Sequence, residues 1–587
     1  MMKMPWIIYT KLLVFLGILV SKNPILSVNN EPNNQNFCSY MIIGGGISGL
    51  HTAWKLSEKY PYHKICLLEK NKNRFGGRIK DINLLTKSSS MTDLTDDSPN
   101  LALGARRIMK GQKLMMNLAK ELNITLEAGK GKNPRITEAR GQVEQDGNLD
   151  NFVDRYTNLL KTELSSTNLS LNLTEGDIEY QLYSELLYGD EVKNNNLKKY
   201  KSLRNYIESR IGSVGFKFLH DMTTWKGDFQ HDLSAESYIS WLIEEFDLEG
   251  PMLYPLGGMS AFIRGLVKKC QKNDVYLFLG ASVTKIDKNN QTQNFDVDVM
   301  KKRESLKFKA EKLILSIPPK ALSKIGGNVI SKITKTQQYR SIKTIPVFTL
   351  TNFYQNDAWF RLNSENGNIP ADLFRAATSD HCLASLEIPQ EPSLSLNDDV
   401  NIRSVFRPVY CDKPECVKFF SYLAFGAKKT KPDKHYANSK NSARRDLQKI
   451  VSNGLKLFFN SSTIEDPLNQ PINSKPQLWE EAWSWLKAGS KFSNDDIARW
   501  ALNPIGDNED ENLNGNLALA CDHYYPQRSV WSEAGIISSR RALRKFGLDI
   551  PFDGYDRDLG ENGQEDMFLR KAVYGEHSTF ISDGFHK

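Results

Sequence analysis

Apolar residues in this chain follow two periods that take turns along its length. Tyr40-Met41-Ile42-Ile43 is an unbroken, β-prone apolar run. After a glycine turn, Ile47, Leu50, Ala53 and Trp54 recur at helical spacing, and Ile65-Cys66-Leu67-Leu68-Glu69 returns to a strand pattern. Strand, turn, helix and strand in that order make one β-α-β unit, which predicts a parallel sheet with helices packed on it. Residues from about 85 to 100 are rich in Ser, Thr and Asp and read as a surface loop. Beyond Arg107 the helical period dominates, with Phe152, Val153, Tyr156, Leu159 and Leu160 on one face and Tyr238, Trp241, Leu242 and Phe246 on another. Strand character resumes at 275–279, at 312–317 before Pro318-Pro319, at 347–353, and at 517–521 after an acidic turn at 507–511. No internal repeat is visible, and the tail beyond Pro551 has little periodicity.

A length of 587 residues exceeds what one core organises, so at least two packed units are expected, with room to bury a large cofactor. Hydrophobic content of 40%, charged content of 25% and a net charge of +8 are ordinary for a globular chain and favour acidic partners only weakly. The basic run Arg540-Arg541-Ala542-Leu543-Arg544-Lys545 lacks interleaved aromatics or a recognisable reading helix. It reads as a solvated helix face, so nucleic acid is not an expected partner. The nine histidines form neither a His-x-His nor a His-Glu-x-x-His pattern, so no metal site is expected.

Lys3 and Lys11, the apolar run 12–20 and polar Ser21-Lys22-Asn23 follow the order of a secretory signal peptide, with cleavage expected between Ser21 and Ser27. A membrane span needs about 20 apolar residues, so no stable span is expected after cleavage. Sequons at Asn123, Asn168, Asn172, Asn290 and Asn460 agree with secretion, to the exterior or a secretory lumen. The seven cysteines suit one to three disulfides, with Cys411 and Cys416 the expected local pair; Cys66 and Cys521, in apolar runs, also read as buried thiols.

The first β-α turn is Gly44-Gly45-Gly46-Ile47-Ser48-Gly49. Gly44 suits the tight turn, Gly46 the close approach of a pyrophosphate, and Gly49 the packing of helix on strand, with Ile47 and Ser48 opening the helix whose N-H groups face the phosphates. Glu69, followed by Lys70, closes the second strand 20 residues after Gly49, where a carboxylate accepts hydrogen bonds from ribose hydroxyls. Next comes Arg74-Phe75-Gly76-Gly77-Arg78-Ile79. That Gly76-Gly77-Arg78 loop is superfluous for NAD but makes sense if the ribityl and diphosphate half of FAD crosses it.

Here the chain resembles the flavin-dependent amine oxidase family, especially its secreted L-amino acid oxidase branch, from about residue 38 to residue 546. Leu103-Gly104-Ala105-Arg106-Arg107-Ile108 is similar to the segment that lines the flavin and pairs an arginine with the substrate carboxylate. The resemblance implies Gly104, Ala105 and Arg106 at the cofactor and Arg107 on the carboxylate, Arg106 being an equal candidate on chemistry alone. Tyr254-Pro255-Leu256-Gly257-Gly258-Met259 resembles the glycine pair before the helix that leads to the adenine-contacting strand, where Val283 takes the matching place. Ala482-Trp483-Ser484-Trp485 looks like the aromatic segment before the last strand. Asp522 with 529–535 looks like the terminal motif in which an acid holds the ribityl chain and a tryptophan, Trp531, walls the substrate cavity.

The resemblance therefore implies an α/β fold: a discontinuous Rossmann-like FAD-binding domain (37–110, 251–320 and 501–548), a mostly helical insert (111–250) and a substrate-binding domain (321–500), between a signal peptide (1–27) and a tail (549–587). It implies non-covalent FAD, since no cysteine sits where monoamine oxidases attach theirs. It also implies hydride transfer from a neutral amine to flavin N5, with molecular oxygen regenerating the flavin and releasing peroxide; assembly as a homodimer is left open. Two positions depart from the pattern. Ile345-Pro346-Val347-Phe348 is followed by Thr349 where the family carries a lysine that holds a water, and Lys343 is six residues off; Val530 replaces the usual glycine before Trp531. Two expectations follow: an oxidase of amines, L-amino acids first, using Arg107, Trp531 and Thr349, or a flavoprotein of the same fold with little turnover. Polyamine and prenylcysteine oxidation share the scaffold.

Overall fold

The apolar run at 40–43 forms strand β1 (Phe37–Ile43), and the periodic residues after the glycine turn form helix α1 (Ile47–Lys59), which leads to β2 (Ile65–Glu69). Two short strands follow, β3 (Asp81–Asn83) and β4 (Asn100–Ala102), then α2 (Lys113–Glu121). Helices α3 (Ile178–Tyr188), α4 (Leu203–Met222), α5 (Lys226–Gln230) and α6 (Ala235–Phe246) succeed one another. The chain continues through α7 (Ser260–Lys272), β5 (Tyr276–Leu279), β6 (Ser282–Lys288), β7 (Phe295–Lys301) and β8 (Glu304–Leu315). Last come the long β9 (Ile342–Tyr354), β10 (Ser404–Cys411), α8 (Pro414–Phe425), the long β11 (Asn473–Leu486), β12 (Leu517–Leu519) and α9 (Ser532–Lys545).

This computed structural model describes residues 36–84, 86, 89, 94–95, 100–129, 135–139, 142–145, 178–194, 196–222, 226–246, 252–354, 375–378, 382–383, 385–387, 404–425, 446–451, 453, 471–505, 515–526 and 530–550. The expected signal peptide, the helical face at 152–160, the acidic turn at 507–511, the tail from residue 551, and Asn168, Asn172 and Asn460 lie outside them. The chain divides into Met1–Phe37 and Cys38–Lys587, and the architecture below is that of the second.

One sheet runs in the order β5-β2-β1-β8-β7-β6, with β12 also beside β8. The β1–β2, β2–β5 and β8–β12 pairs are parallel, while β6, β7 and β8 form an antiparallel meander. Residues buried on both faces of a parallel strand must be apolar throughout, which is why the runs at 40–43, 65–68 and 517–519 do not alternate. One face packs under α1, α2, α7 and α9 through Leu50, Trp54, Leu114, Phe262 and Ile537. The other packs on the meander through Met41, Leu68, Phe295, Val297 and Leu517.

The second sheet begins β11-β9-β10 and continues through Ser385–Glu387, Arg375–Thr378, Arg135–Ala139 and Gln142–Gln145. Its faces bury different partners. Ile345, Val347, Trp483 and Trp485 pack against α3, α4 and α6, whereas Phe348, Leu350 and Val409 pack against α8. No helix among the described residues is long and apolar enough to cross a membrane.

The cysteines do not pair as expected. Cys38 bonds to Cys66, joining β1 to β2, and Cys382 bonds to Cys416, while Cys270, Cys411 and Cys521 are buried free thiols. Closeness in sequence is overridden by tertiary approach: Cys411 ends β10 opposite Phe348 in the core, and Cys416 meets Cys382, 34 residues earlier.

A buried acid fastens the helical layer to the second sheet. Asp228 of α5 accepts indole N-H groups from Trp483 (3.3 Å) and Trp485 (3.2 Å), and the amide of Gly227 donates to Asp412 (3.0 Å). Burial, then the neighbouring Asp412 charge, pushes the Asp228 carboxyl well above the ordinary carboxylate range. An acid with a raised folded pKa keeps its proton longer in the fold than in the unfolded chain. Its contribution is therefore present below the unfolded value and lost as pH rises toward the folded one. Asp228→Asn should raise the thermal midpoint more at pH 8 than at pH 5, as read by calorimetry. Asp228→Ala should lower it at both, since two buried donors lose their acceptor at about 1–3 kcal/mol each.

Candidate active site

Three glycines of the first turn have separate geometric reasons. Gly44 has φ +109°, and a Cβ there would sit 2.2 Å from the Ser316 carbonyl oxygen. A Cβ on Gly49 would lie 2.0 Å from the Gly44 oxygen, so α1 can seat on the strand only without a side chain there. Gly46 differs, because a Cβ on it would meet nothing within 4 Å. The space above it is open. No side chain caps α1, so its first amides face that space with the positive end of the helix dipole.

Glu69 braces this turn from the end of β2. Its carboxylate accepts from the amides of Gly45 (2.8 Å) and Asn71 (2.6 Å), and burial is the main cause that raises its pKa. Lys70 beside it is exposed. Ser48 donates to the Ala520 carbonyl, tying α1 to the end of β12. Ile47 is buried, and Gly535 of α9 packs so closely that a Cβ would lie 3.1 Å from its side chain. Val283 is half-buried at a bulge in β6.

The Gly76–Gly77 loop lies on the first: the Gly76 amide donates to the Gly45 oxygen at 2.7 Å. Arg74, which the motif contains but whose role sequence reading missed, holds this loop in shape by donating to the carbonyls of Phe75 (3.1 Å), Ile79 (2.9 Å) and Gly77 (2.7 Å). Arg78 then reaches the far end of the chain. It pairs with Asp522 and donates to Ala482 O (2.6 Å). Burial alone would push the Asp522 carboxyl up, but the Arg78 guanidinium, followed by His523, holds it far below the usual carboxylate range. Among the described residues, Cys521, Asp522 and His523 form a group compact enough for a metal ion. Arg78 already places its charge there, 4.0 Å from the Cys521 sulfur and 3.2 Å from His523 Nδ1.

The segment after β4 threads between these parts. A Cβ on Gly104 would lie 1.8 Å from the Arg78 oxygen and 3.2 Å from the Trp479 ring, and Ala105 N donates to Arg78 O at 3.2 Å. Arg106 lies 5.4 Å over the Tyr410 ring. Arg107 is half-buried and has no hydrogen-bond or ion-pair partner among the described residues. Trp531, half-buried, stands at the N-cap of α9, with Val530 exposed before it. Thr349 is buried in β9 between Tyr410 and Gln477, its hydroxyl unpartnered. Lys343 sits opposite Trp485, about 20 Å away along the strand at roughly 3.3 Å per residue, so it does not reach that position.

Residues 47–390 match the family described as flavin containing amine oxidoreductase. The chain belongs to that family. Its fold is that of amine oxidase structures: cyclohexylamine oxidase from Brevibacterium oxydans (TM-score 0.55, 14% identity, 86% of this chain and 98% of that one) and putrescine oxidase bound to putrescine (TM-score 0.52, 13% identity, 87% and 99%). An uncharacterised protein of Acanthamoeba polyphaga mimivirus is 22% identical over 347 residues, which are 55% of this chain and 65% of that relative's length.

The residues of this family member fit a flavin dinucleotide. Gly46 leaves room for a pyrophosphate, the α1 amides face it, and the buried Ser316 hydroxyl behind Gly44 has no protein partner. Gly46→Val should leave the apoprotein's thermal midpoint unchanged and abolish the visible flavin absorbance of the purified protein. Gly49→Val should lower the midpoint as well, because its side chain meets backbone.

Proposed function

We propose that this flavoprotein is a secreted oxidase that holds FAD non-covalently and oxidises amines, L-amino acids foremost, to the oxo acid, ammonia and hydrogen peroxide. Arg107 carries the substrate class. Its guanidinium, three residues after Gly104, has no partner among the described residues, and a planar fork of donors suits a carboxylate better than any neutral group. Trp531 supplies an apolar wall in this reading. The bound flavin would accept two electrons from the substrate and pass them to oxygen. The chain's own residues bind and orient: Arg107 fixes the carboxylate end, and Thr349 offers a buried hydroxyl to a water. The Cys38–Cys66 and Cys382–Cys416 bonds support folding in an oxidising compartment, in agreement with the signal-like run at 12–20.

Thr349 is uncharged where the family has a lysine, and this favours a second reading, a flavoprotein of the same fold with little turnover. The resembling structures are named for putrescine and cyclohexylamine, which lack a carboxylate. The deciding experiment adds L-amino acids, putrescine and cyclohexylamine in turn to the anaerobic protein and follows the flavin spectrum. Bleaching by amino acids is the expected result, and a flavin that stays oxidised with every compound rules the oxidase out. Arg107→Gln should raise KM for amino acids about 10- to 100-fold, the worth of charge-assisted hydrogen bonds, with little effect on cyclohexylamine.

A further inference from the structure

One row of side chains crosses the β11-β9-β10 sheet at Thr349. Thr349 lies directly between Gln477 of β11 and Tyr410 of β10, and directly opposed residues point to the same face. At one end Lys80 Nζ donates to Gln477 Oε1 at 2.8 Å, and at the other Arg106 covers the Tyr410 ring. The unpartnered Thr349 hydroxyl is in the middle. Both ends come from the segments that enclose the close contact of Gly104 with the Arg78 backbone. Lys80 follows Arg78 by two residues, Arg106 follows Gly104 by two, and Leu103 N donates to Lys80 O at 2.8 Å. The row therefore borders the contact of Gly104 and Ala105 with the Arg78 backbone, three residues before Arg107 along the chain.

We propose that Lys80 is the base that deprotonates the substrate's ammonium group, an assignment that rests on the amine oxidase reading. An amine arrives protonated at neutral pH, with its nitrogen lone pair tied up. One N-H bond of the substrate breaks, its electron pair stays on the substrate nitrogen, and the proton forms a new N-H bond on the Lys80 lone pair. Positive charge passes to Lys80 and nothing is oxidised. The freed lone pair is what the later loss of hydride from carbon requires.

The surroundings suit Lys80 to accept a proton. Burial foremost, then the charges of Arg74 and Lys475, lowers its pKa to about 8. Gln477, its hydrogen-bond partner, is neutral. Of the charged residues beside it in sequence, Arg78 pairs with Asp522, and Asp81 accepts from the amide of Ser260 at 2.7 Å. Burying an ammonium beside two cations is unfavourable, and a structural role would be met better by an uncharged side chain.

Lys80→Met and Lys80→Arg test this, with visible flavin absorbance verifying that both hold FAD as the parent does. For either variant kcat/KM with L-leucine should fall about 100-fold or more at pH 7, within the range of general-base contributions, and recover toward pH 10 as the substrate arrives neutral. A loss equal at every pH, or no loss, overturns the proposal. Competitive acetylation of the parent protein, read by mass spectrometry, should show Lys80 gaining reactivity around pH 8 and shielded by L-leucine or cyclohexylamine. If neither amine shields it, the base assignment fails. If no amine bleaches the flavin, the oxidase reading falls, and shielding alone then decides whether Lys80 is the proton acceptor for a bound amine.

Discussion

The contact between Arg78 and Asp522 joins residues 444 positions apart and is where the separate parts of the site become one. Arg78 leaves a loop whose neighbour is the first glycine turn, donates to β11 through Ala482, and meets the acid after β12. A buried pair of this kind adds little stability over an apolar substitute, but losing one member costs about 3–5 kcal/mol because the other charge is left behind. It therefore acts as a requirement of register. The glycine loop, the second sheet and the end of the chain must all be correctly placed before either charge is satisfied.

That requirement explains why the glycines are where they are. With Arg78 drawn toward Asp522, its backbone runs directly under Gly104, and the Gly76 amide reaches the turn at Gly45. Side chains at Gly44, Gly49 or Gly104 would push backbone apart, while one at Gly46 would enter open space. The same motif thus holds two kinds of glycine: those the protein needs to close on itself, and one it leaves clear for a ligand.

The second sheet divides its faces between two tasks. One face packs on α8, and the other carries Ile345, Val347 and the tryptophans of β11 against the helical layer, secured by Asp228. Thr349, Gln477 and Tyr410 continue the polar part of that second face. A strand's two-residue period makes this division unavoidable, since moving a residue by one position transfers it to the other task.

The cofactor end of the site was legible in the sequence because its chemistry is local. Tyr40 to Glu69 contains strand, turn, helix and acid within one β-α-β unit, and the backbone demands of a dinucleotide fall on consecutive glycines. Residue type and spacing also placed Gly76-Gly77-Arg78 beside it. What joins distant segments was not legible. Cys416 pairs with Cys382 and not with Cys411, Arg78 pairs with Asp522, and Lys80 reaches Gln477, 397 residues on. Each depends on how two sheets and a helical layer come together. A sequence states its short-range geometry directly, whereas such long-range contacts follow only from the packing of whole elements, and that packing decided which distant side chains meet.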